Sequence, residues 1–229
     1  MKLKFIFVIP FLISGTLRAE LNPTILYVGD SHSYGRLGTV IEKKLSTISD
    51  HVIMESSCGS TPSTWLGKNG YEKTVCGFWK KDGSDESRSK EHQTPKISDE
   101  LARYRPEVTI VQLGTNIAAG EKPKNYTLSI VTMMKTINVD KSICIWIGPP
   151  DANSKIVTKE KLVETNQLLI ELAKKNNCHY IDSLLLTKFP SNEKEGIHYS
   201  PSLSAEWGSK VSIQILNIIA NIKELPPII

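Results

Sequence analysis

The sequence predicts an α/β fold in which helices cover both faces of a parallel β-sheet. Three observations predict it. Short apolar runs rich in β-branched residues recur along the chain, they alternate with longer segments of helical apolar spacing, and the 229 residues contain no low-complexity linker that would divide them. Ligands of such sheets bind beyond the carboxyl ends of the strands, so we expect the functional loops to follow the strands.

Five segments are predicted as buried strands, because each is a short run rich in β-branched or aromatic residues. In chain order, they are Thr24–Gly29, His51–Glu55, Val108–Leu113, Ile143–Ile147 and His179–Ile181. The first of them stops at a glycine and is followed by a helical pattern, which makes a strand–loop–helix unit. Together they predict a five-stranded parallel sheet.

Helices are predicted in most intervals between these strands, where apolar residues lie three and four positions apart. The segments are Gly35–Leu45, Tyr126–Ile137, Thr158–Lys175 and, after Pro201, Ser202–Ile222. The connection over 58–106 is far longer than an ordinary crossover, and its part over 80–96 is charged and serine-rich. We expect that part to face solvent.

The amino terminus has the three regions of a secretory signal peptide: a basic start, the apolar run Phe5–Ile13 and small residues ending at Ala19. The run is well short of the ~20 apolar residues that span a bilayer, which disfavours a membrane anchor. We expect cleavage after residues 1–19, which leaves 20–229 as one domain in the periplasm or outside the cell, with no stable membrane anchor.

Cleavage removes three of the 28 basic residues and none of the 24 acidic ones, so the net charge falls from +4 to +1. The remaining charges are scattered, which disfavours a nucleic-acid partner.

Four cysteines lie in the predicted mature chain, and an exported protein reaches a compartment where disulfides persist. Cys58 and Cys76 flank the segment that contains Trp65, and we expect them to form a disulfide that closes this loop. Cys144 and Cys178 begin the fourth and fifth strands. They form a second pair only if a bridge between adjacent parallel strands is geometrically accessible. No spacing typical of metal ligands is present, so we expect neither a metal nor a cofactor.

The first strand leads into Gly29-Asp30-Ser31-His32-Ser33, which puts Ser31 at a strand-to-helix turn. A serine hydroxyl at such a turn is exposed, and the helix that follows directs N–H groups towards bound ligand. Ser31 is therefore a candidate nucleophile. Asp and Ser also cap helices routinely, so the same residues are compatible with a purely structural cap.

Two further strand ends carry groups that suit an oxyanion hole. The second strand is followed by Ser57-Cys58-Gly59-Ser60 and the third by Gly114-Thr115-Asn116. The backbone N–H groups of Ser31 and Gly59 and the side-chain amide of Asn116 would supply three donors to a tetrahedral oxyanion. Alternatively, Gly59 only turns the chain and Asn116 only caps the next segment.

His198, just before the last predicted helix, is the candidate base for Ser31. A serine becomes a good nucleophile when a histidine takes its proton, and a carboxylate usually orients that histidine. Glu195, three residues earlier, is the nearest candidate. The alternatives are that Glu195 is solvated in its charged stretch and that a backbone carbonyl or Asp30 orients the histidine, or that Ser31 and His198 act as a dyad.

These segments resemble the serine, glycine, asparagine and histidine blocks of the SGNH (GDSL-like) hydrolases, in the same chain order. Ser31 matches the nucleophile block, Gly59 the glycine block, Asn116 the asparagine block and His198 the base. The resemblance spans nearly the whole predicted mature chain. It implies a flavodoxin-like three-layer α/β/α sandwich and a serine ester hydrolase that acts through an acyl-enzyme.

Two departures from the family pattern bear on mechanism and substrate. Glu195 stands where the family usually has Asp. The nucleophile block reads Asp-Ser-His where Asp-Ser-Leu is commoner, which is similar to SGNH domains associated with O-acylation of cell-surface polysaccharides. The resemblance thus points to acetylated sugars or other small esters. Trp65 lies in the long connection just beyond Gly59, so we expect it to form an aromatic wall on which a sugar stacks, with His32 also lining the site. Trp65 instead packs the loop onto the domain if it is buried.

We therefore expect an enzyme that removes O-acetyl or other short acyl groups from envelope carbohydrate. The alternatives are a polysaccharide O-acetyltransferase, a lysophospholipase or lipid esterase, and a non-catalytic glycan-binding module. The sequence indicates no particular oligomeric state.

Overall fold

A computed structural model describes residues 22–67, 76–191 and 196–223. The predicted signal peptide, residues 1–19, lies outside the described residues. Within the described ranges, no helix is both long enough and apolar enough to cross a membrane.

The described residues form a single mixed sheet of seven strands, in the order β4-β3-β2-β1-β5-β6-β7. The strands are β1 (Ile25–Gly29), β2 (Val52–Ser57), β3 (Phe78–Asp82), β4 (Asp85–Ser89), β5 (Val108–Gln112), β6 (Ile143–Ile147) and β7 (Cys178–Ile181). The pairs β1–β2, β1–β5, β5–β6 and β6–β7 are parallel. These five parallel strands are the predicted ones, and their carboxyl ends lie at one edge of the sheet.

The antiparallel hairpin of β3 and β4 is a correction to the prediction of a five-stranded sheet with a loop over 80–96. The expectation that this part faces solvent is confirmed for 83–93. Hydrogen bonds pair β3 with β2, where Lys80 stands opposite Glu55 and forms an ion pair with it. Phe78 and Trp79 at the start of β3 are buried, whereas all five residues of β4 are exposed. Charged residues are common on edge strands because they oppose pairing with another chain, and they hide the strand signal in the sequence.

Helices lie on both faces of the sheet, as predicted. They are α1 (Ser31–Tyr34), α2 (Arg36–Leu45), α3 (Pro62–Trp65), α4 (Ile97–Tyr104), α5 (Thr115–Ala119), a 3₁₀ helix (Pro123–Tyr126), α6 (Thr127–Val139), α7 (Lys159–Lys175), α8 (Ser183–Leu186) and α9 (Pro201–Lys223). One core cluster joins α2 and α9 to one sheet face, and a second joins α4, α6 and α7 to the other. The three-layer α/β/α arrangement predicted for the chain is thereby confirmed.

Both cysteine pairs are bonded in the structure. The prediction that Cys58 pairs with Cys76 is confirmed, and their Cα atoms are 5.3 Å apart. Cys144 and Cys178 occupy paired positions of β6 and β7 and also form a disulfide, with a Cα separation of 4.7 Å. Closure of a loop of the Cys58–Cys76 length stabilises a folded protein by about 3 kcal/mol in the loop-entropy model.

Candidate active site

Ser31 and His198 meet at the carboxyl-end edge of the sheet although 167 residues separate them in sequence. Ser31 is the first residue of α1 and follows β1 directly, whereas His198 precedes α9. The Ser31 Oγ lies 2.9 Å from the His198 Nε2. This is hydrogen-bond distance, and it is the contact that lets an imidazole remove a proton from a serine hydroxyl.

A buried polar network supports the turn that carries Ser31. Asp30 caps α1, and its carboxylate accepts the backbone N–H of His32 at 3.0 Å. Behind it, the Ser33 Oγ donates to the Gln112 Oε1 at 2.6 Å and contacts the Tyr27 hydroxyl at 2.7 Å. Burial raises the pKa of Asp30 to about 7, although the N–H of His32 and the charge of His198 oppose the rise. The turn is thus tied to both β1 and β5.

Gly59, the glycine that the sequence predicts as an oxyanion donor, lies in the turn after β2. Its φ angle is 79°, in the left-handed region where a glycine costs least. On either side, the N–H of Cys58 donates to the Gly77 carbonyl and the N–H of Ser60 donates to the Ser57 carbonyl. The Cys58–Cys76 disulfide joins the residues next to Gly59 and Gly77, and it therefore braces the turn that contains Gly59.

Asn116, in the first turn of α5, contacts the same loop. Its Nδ2 donates to the Ser60 carbonyl at 3.0 Å. A carboxamide nitrogen carries two hydrogens, so this contact orients Asn116 and leaves its second N–H for another acceptor. Asn116 is in this way tied to the residue that follows Gly59, and the Ser60 hydroxyl of the same turn contacts the Gly29 carbonyl at the end of β1.

The structure corrects the expectation that Trp65 forms a wall for a sugar. The Trp65 side chain is fully buried in the core beside α6, and its Nε1 donates to the Ser60 Oγ at 3.1 Å. Ser60 in turn contacts the Gly29 carbonyl at the end of β1. A ring without exposed surface cannot stack on substrate, so Trp65 packs its loop onto the protein and supports the Ser60 turn.

His32 is also buried, with 5% of its surface exposed, and it lies behind His198 instead of presenting its ring to solvent. Its ring centroid is 5.2 Å from that of His198 and 5.3 Å from that of Trp207. Burial, followed by the nearby His198, lowers the pKa of His32 to about 3, so this imidazole is neutral around pH 7. His32 thus serves as an uncharged packing surface beneath His198.

The predicted carboxylate partner of His198, Glu195, lies outside the described residues. The description of this loop resumes at Gly196, whose carbonyl accepts the Asn153 N–H at 2.7 Å. A Cβ on Gly196 would stand 1.6 Å from the Asn153 carbonyl oxygen, so only glycine permits this approach. The segment after β6 thus lies directly against the loop that carries His198.

Sequence reasoning missed Asp151, which makes further contacts to this part of the chain. It lies in the loop after β6 and contacts residues on both sides of His198's loop. A signal was available in the sequence, because Gly148-Pro149-Pro150-Asp151 follows a predicted strand at the same sheet edge as Ser31.

Among the residues that the structure describes, no three His, Cys, Asp or Glu side chains are grouped as ligands of a metal ion.

No family model matches the chain. A curated relative is protein BcsX of Komagataeibacter xylinus, which is 26% identical over 217 residues, covering 89% of this chain and 80% of BcsX. This similarity extends over most of both chains.

Solved structures of bacterial esterases share the fold. Est24, a carbohydrate acetylesterase from Sinorhizobium meliloti, has a TM-score of 0.62 at 15% identity and covers 86% of this chain and 100% of its own. The M. smegmatis aryl esterase has a TM-score of 0.61 at 16% identity, over 84% and 98%. The psychrotrophic esterase EstA from Pseudoalteromonas sp. has a TM-score of 0.57 at 16% identity, over 86% and 100%. The chain therefore shares the α/β/α fold of these bacterial esterases, the fold that its resemblance to the SGNH hydrolases implies.

Proposed function

We propose that this protein is an exported serine ester hydrolase that removes O-acetyl or other short acyl groups from envelope carbohydrate through an acyl-enzyme. The observation that carries the proposal is the 2.9 Å contact between the Ser31 Oγ and the His198 Nε2. The predicted oxyanion donors Gly59 and Asn116 support it, since Asn116 is hydrogen-bonded to the residue after Gly59. Nucleophile, base and oxyanion donors are the three components that acyl transfer requires.

In the first half-reaction, His198 takes the hydroxyl proton as the Ser31 Oγ attacks the ester carbonyl. The carbonyl oxygen becomes an oxyanion, which the N–H groups of Ser31 and Gly59 and the second amide N–H of Asn116 stabilise. The C–O bond to the sugar then breaks, and the imidazolium donates its proton to the departing alkoxide. The products are the free sugar hydroxyl and an acyl group on Ser31.

In the second half-reaction, a water molecule takes the place of the sugar. His198 removes a proton from the water as its oxygen attacks the acyl carbonyl, and a second oxyanion forms at the same donors. Collapse of this intermediate breaks the bond to the Ser31 Oγ, which recovers its proton from His198. A carboxylic acid such as acetate leaves, and the enzyme returns to its starting state.

Asn116→Ala is expected to lower kcat about 100- to 1,000-fold with little change in KM, because an oxyanion donor acts mainly in the transition state. Steady-state kinetics on p-nitrophenyl acetate measures the effect. Asn125→Ala, in the 3₁₀ helix, is the matched control and should leave kcat unchanged. Wild-type activity of Asn116→Ala on every substrate that the enzyme hydrolyses would remove Asn116 from the site.

Carbohydrate as the substrate class is supported by two observations. The Asp-Ser-His form of the nucleophile block is similar to that of SGNH domains associated with polysaccharide O-acylation, and Est24, which shares the fold, is a carbohydrate acetylesterase. Export is supported by the three-region amino terminus and by two disulfides, which persist in oxidising compartments.

A panel of p-nitrophenyl esters of increasing acyl length, followed by acetate release from isolated peptidoglycan, tests the proposal. A short-chain esterase should prefer acetyl and butyryl esters and release acetate from acetylated glycan. Preference for long acyl chains would favour a lipid esterase, and faster acyl transfer to an added sugar than to water would favour an O-acetyltransferase. Failure of Ser31 to react with a serine-directed probe would indicate a glycan-binding module.

A further inference from the structure

We propose that Asp151 is a positioning residue for the base, clamping both ends of the segment that carries His198. The inference rests on the proposed function, because it assigns to Asp151 the task of holding the imidazole against Ser31. The clamp itself consists of contacts made by the Asp151 side chain and by its peptide groups.

The side chain of Asp151 holds the beginning of the segment. Its Oδ2 accepts the backbone N–H of Phe189 at 3.1 Å, and its own N–H donates to the Thr187 Oγ1 at 2.9 Å. Hydrogen bonds between a carboxylate and a backbone N–H are stronger than neutral ones. The chain directly after α8 is in this way fixed to the loop after β6.

The carbonyl of Asp151 holds the end of the segment. It accepts the Tyr199 hydroxyl at 2.7 Å, and Tyr199 is the residue next to His198. Two positions along, the Asn153 N–H donates to the Gly196 carbonyl at 2.7 Å. The Gly196 backbone before His198 and the Tyr199 side chain after it are therefore both held by the short stretch 151–153.

The Tyr199 ring connects the two ends. It packs against Phe189 with a centroid distance of 5.2 Å and against Trp207 of α9 at 6.0 Å. Phe189 is the residue whose N–H the Asp151 carboxylate accepts, so the side chain and the carbonyl of Asp151 act on one packed aromatic pair. Loss of the carboxylate should let this pair, and the imidazole beside it, move away from Ser31.

The second contact of the Asp151 carboxylate supplies a control. Its Oδ1 pairs with Lys159 at 2.6 Å, but the Lys159 side chain is 61% exposed. Exposed ion pairs contribute little to stability, so the positioning effect should come from Phe189 and not from Lys159. Lys159→Ala should therefore behave like the wild type.

Kinetics and hydrogen–deuterium exchange on Asp151→Ala, Asp151→Asn and Lys159→Ala test the clamp. We expect Asp151→Ala to lower kcat about 10- to 100-fold with KM within about threefold, because a displacement of reacting groups by ~1 Å costs on this order. Amide exchange in peptides covering 196–203 should rise in the same variant, with exchange in β1 and α7 unchanged. Asp151→Asn should recover most of kcat, because a carboxamide oxygen still accepts the Phe189 N–H.

The proposal is overturned if Asp151→Ala keeps both its kcat and its exchange at 196–203 at the wild-type level, or if Lys159→Ala reproduces its loss. An Asp151→Ala protein that fails to fold leaves Asp151→Asn and Tyr199→Phe to decide, the latter removing the hydroxyl contact to the Asp151 carbonyl. The clamp is overturned if the Tyr199→Phe variant has both the kcat and the amide exchange at 196–203 of the wild type. If the wild-type protein hydrolyses no ester, the proposed function is wrong. The clamp is then tested by amide exchange at 196–203 in Asp151→Ala.

Discussion

Ser31→Ala and His198→Ala should each abolish nearly all ester turnover, lowering kcat by about 10⁴- to 10⁶-fold, the range typical of a serine–histidine unit. The physical reason is that neither group works alone. An alcohol is a weak nucleophile until its proton is taken, and an imidazole 2.9 Å away has no role without the hydroxyl. Steady-state kinetics on the best p-nitrophenyl ester measures the loss.

The double variant Ser31→Ala/His198→Ala gives a sharper test than either single variant. Residues that act as one unit are strongly non-additive, so the double variant should be no slower than the worse single one. Ser98→Ala and His51→Ala change an exposed serine and an exposed histidine elsewhere and should keep full activity. Because Ser31 and His198 are not core residues, the free energy of unfolding should change little. Turnover by Ser31→Ala near the wild-type rate would exclude the acyl-enzyme.

Glu195→Gln should lower kcat by about 10³- to 10⁴-fold if Glu195 completes a triad. A carboxylate that accepts the Nδ1 proton of His198 selects the tautomer that offers Nε2 to Ser31, and it stabilises the imidazolium that forms. Replacing such a carboxylate by an amide costs on this order in a serine protease triad. The measurement is kcat/KM on an ester that Ser31→Ala cannot hydrolyse, with Glu193→Gln in the same charged stretch as the control.

The competing interpretation is a Ser31–His198 dyad. If Glu195→Gln keeps kcat/KM within a few-fold of the wild type, the triad assignment is wrong. Asp30, the other carboxylate considered, already uses one oxygen to cap α1, and its pKa is raised to about 7. A carboxyl that is only partly ionised near pH 7 stabilises an imidazolium less than a fully ionised one, so Asp30→Asn should affect turnover less than Glu195→Gln does.

The sequence by itself determined the parallel core of the sheet and the residues at its functional edge. Ile143–Ile147 has the same bounds in the prediction and in the structure, because a continuous apolar run, four of whose five residues are buried, leaves a strong local signal. Ser31 and Asn116 were predicted at strand ends for a related reason. The carboxyl ends of parallel strands all lie at one edge of the sheet, so residues that follow different parallel strands are expected at that edge.

Only the tertiary structure decided which of these residues meet and what braces them. Whether Trp65 faced a substrate or the core depended on how its loop packed, and the hydrogen bond to Ser60 came from that packing. The hairpin of β3 and β4 was hidden because Lys80 and its neighbours read as a solvated charge run, whereas pairing with Glu55 stabilises them beside β2. Asp151 follows a predicted strand at the functional edge, but that position alone does not indicate what its side chain contacts. Its importance arises from hydrogen bonds to residues 38 and 48 positions away, and contacts between residues so far apart in sequence leave no periodic pattern along the chain.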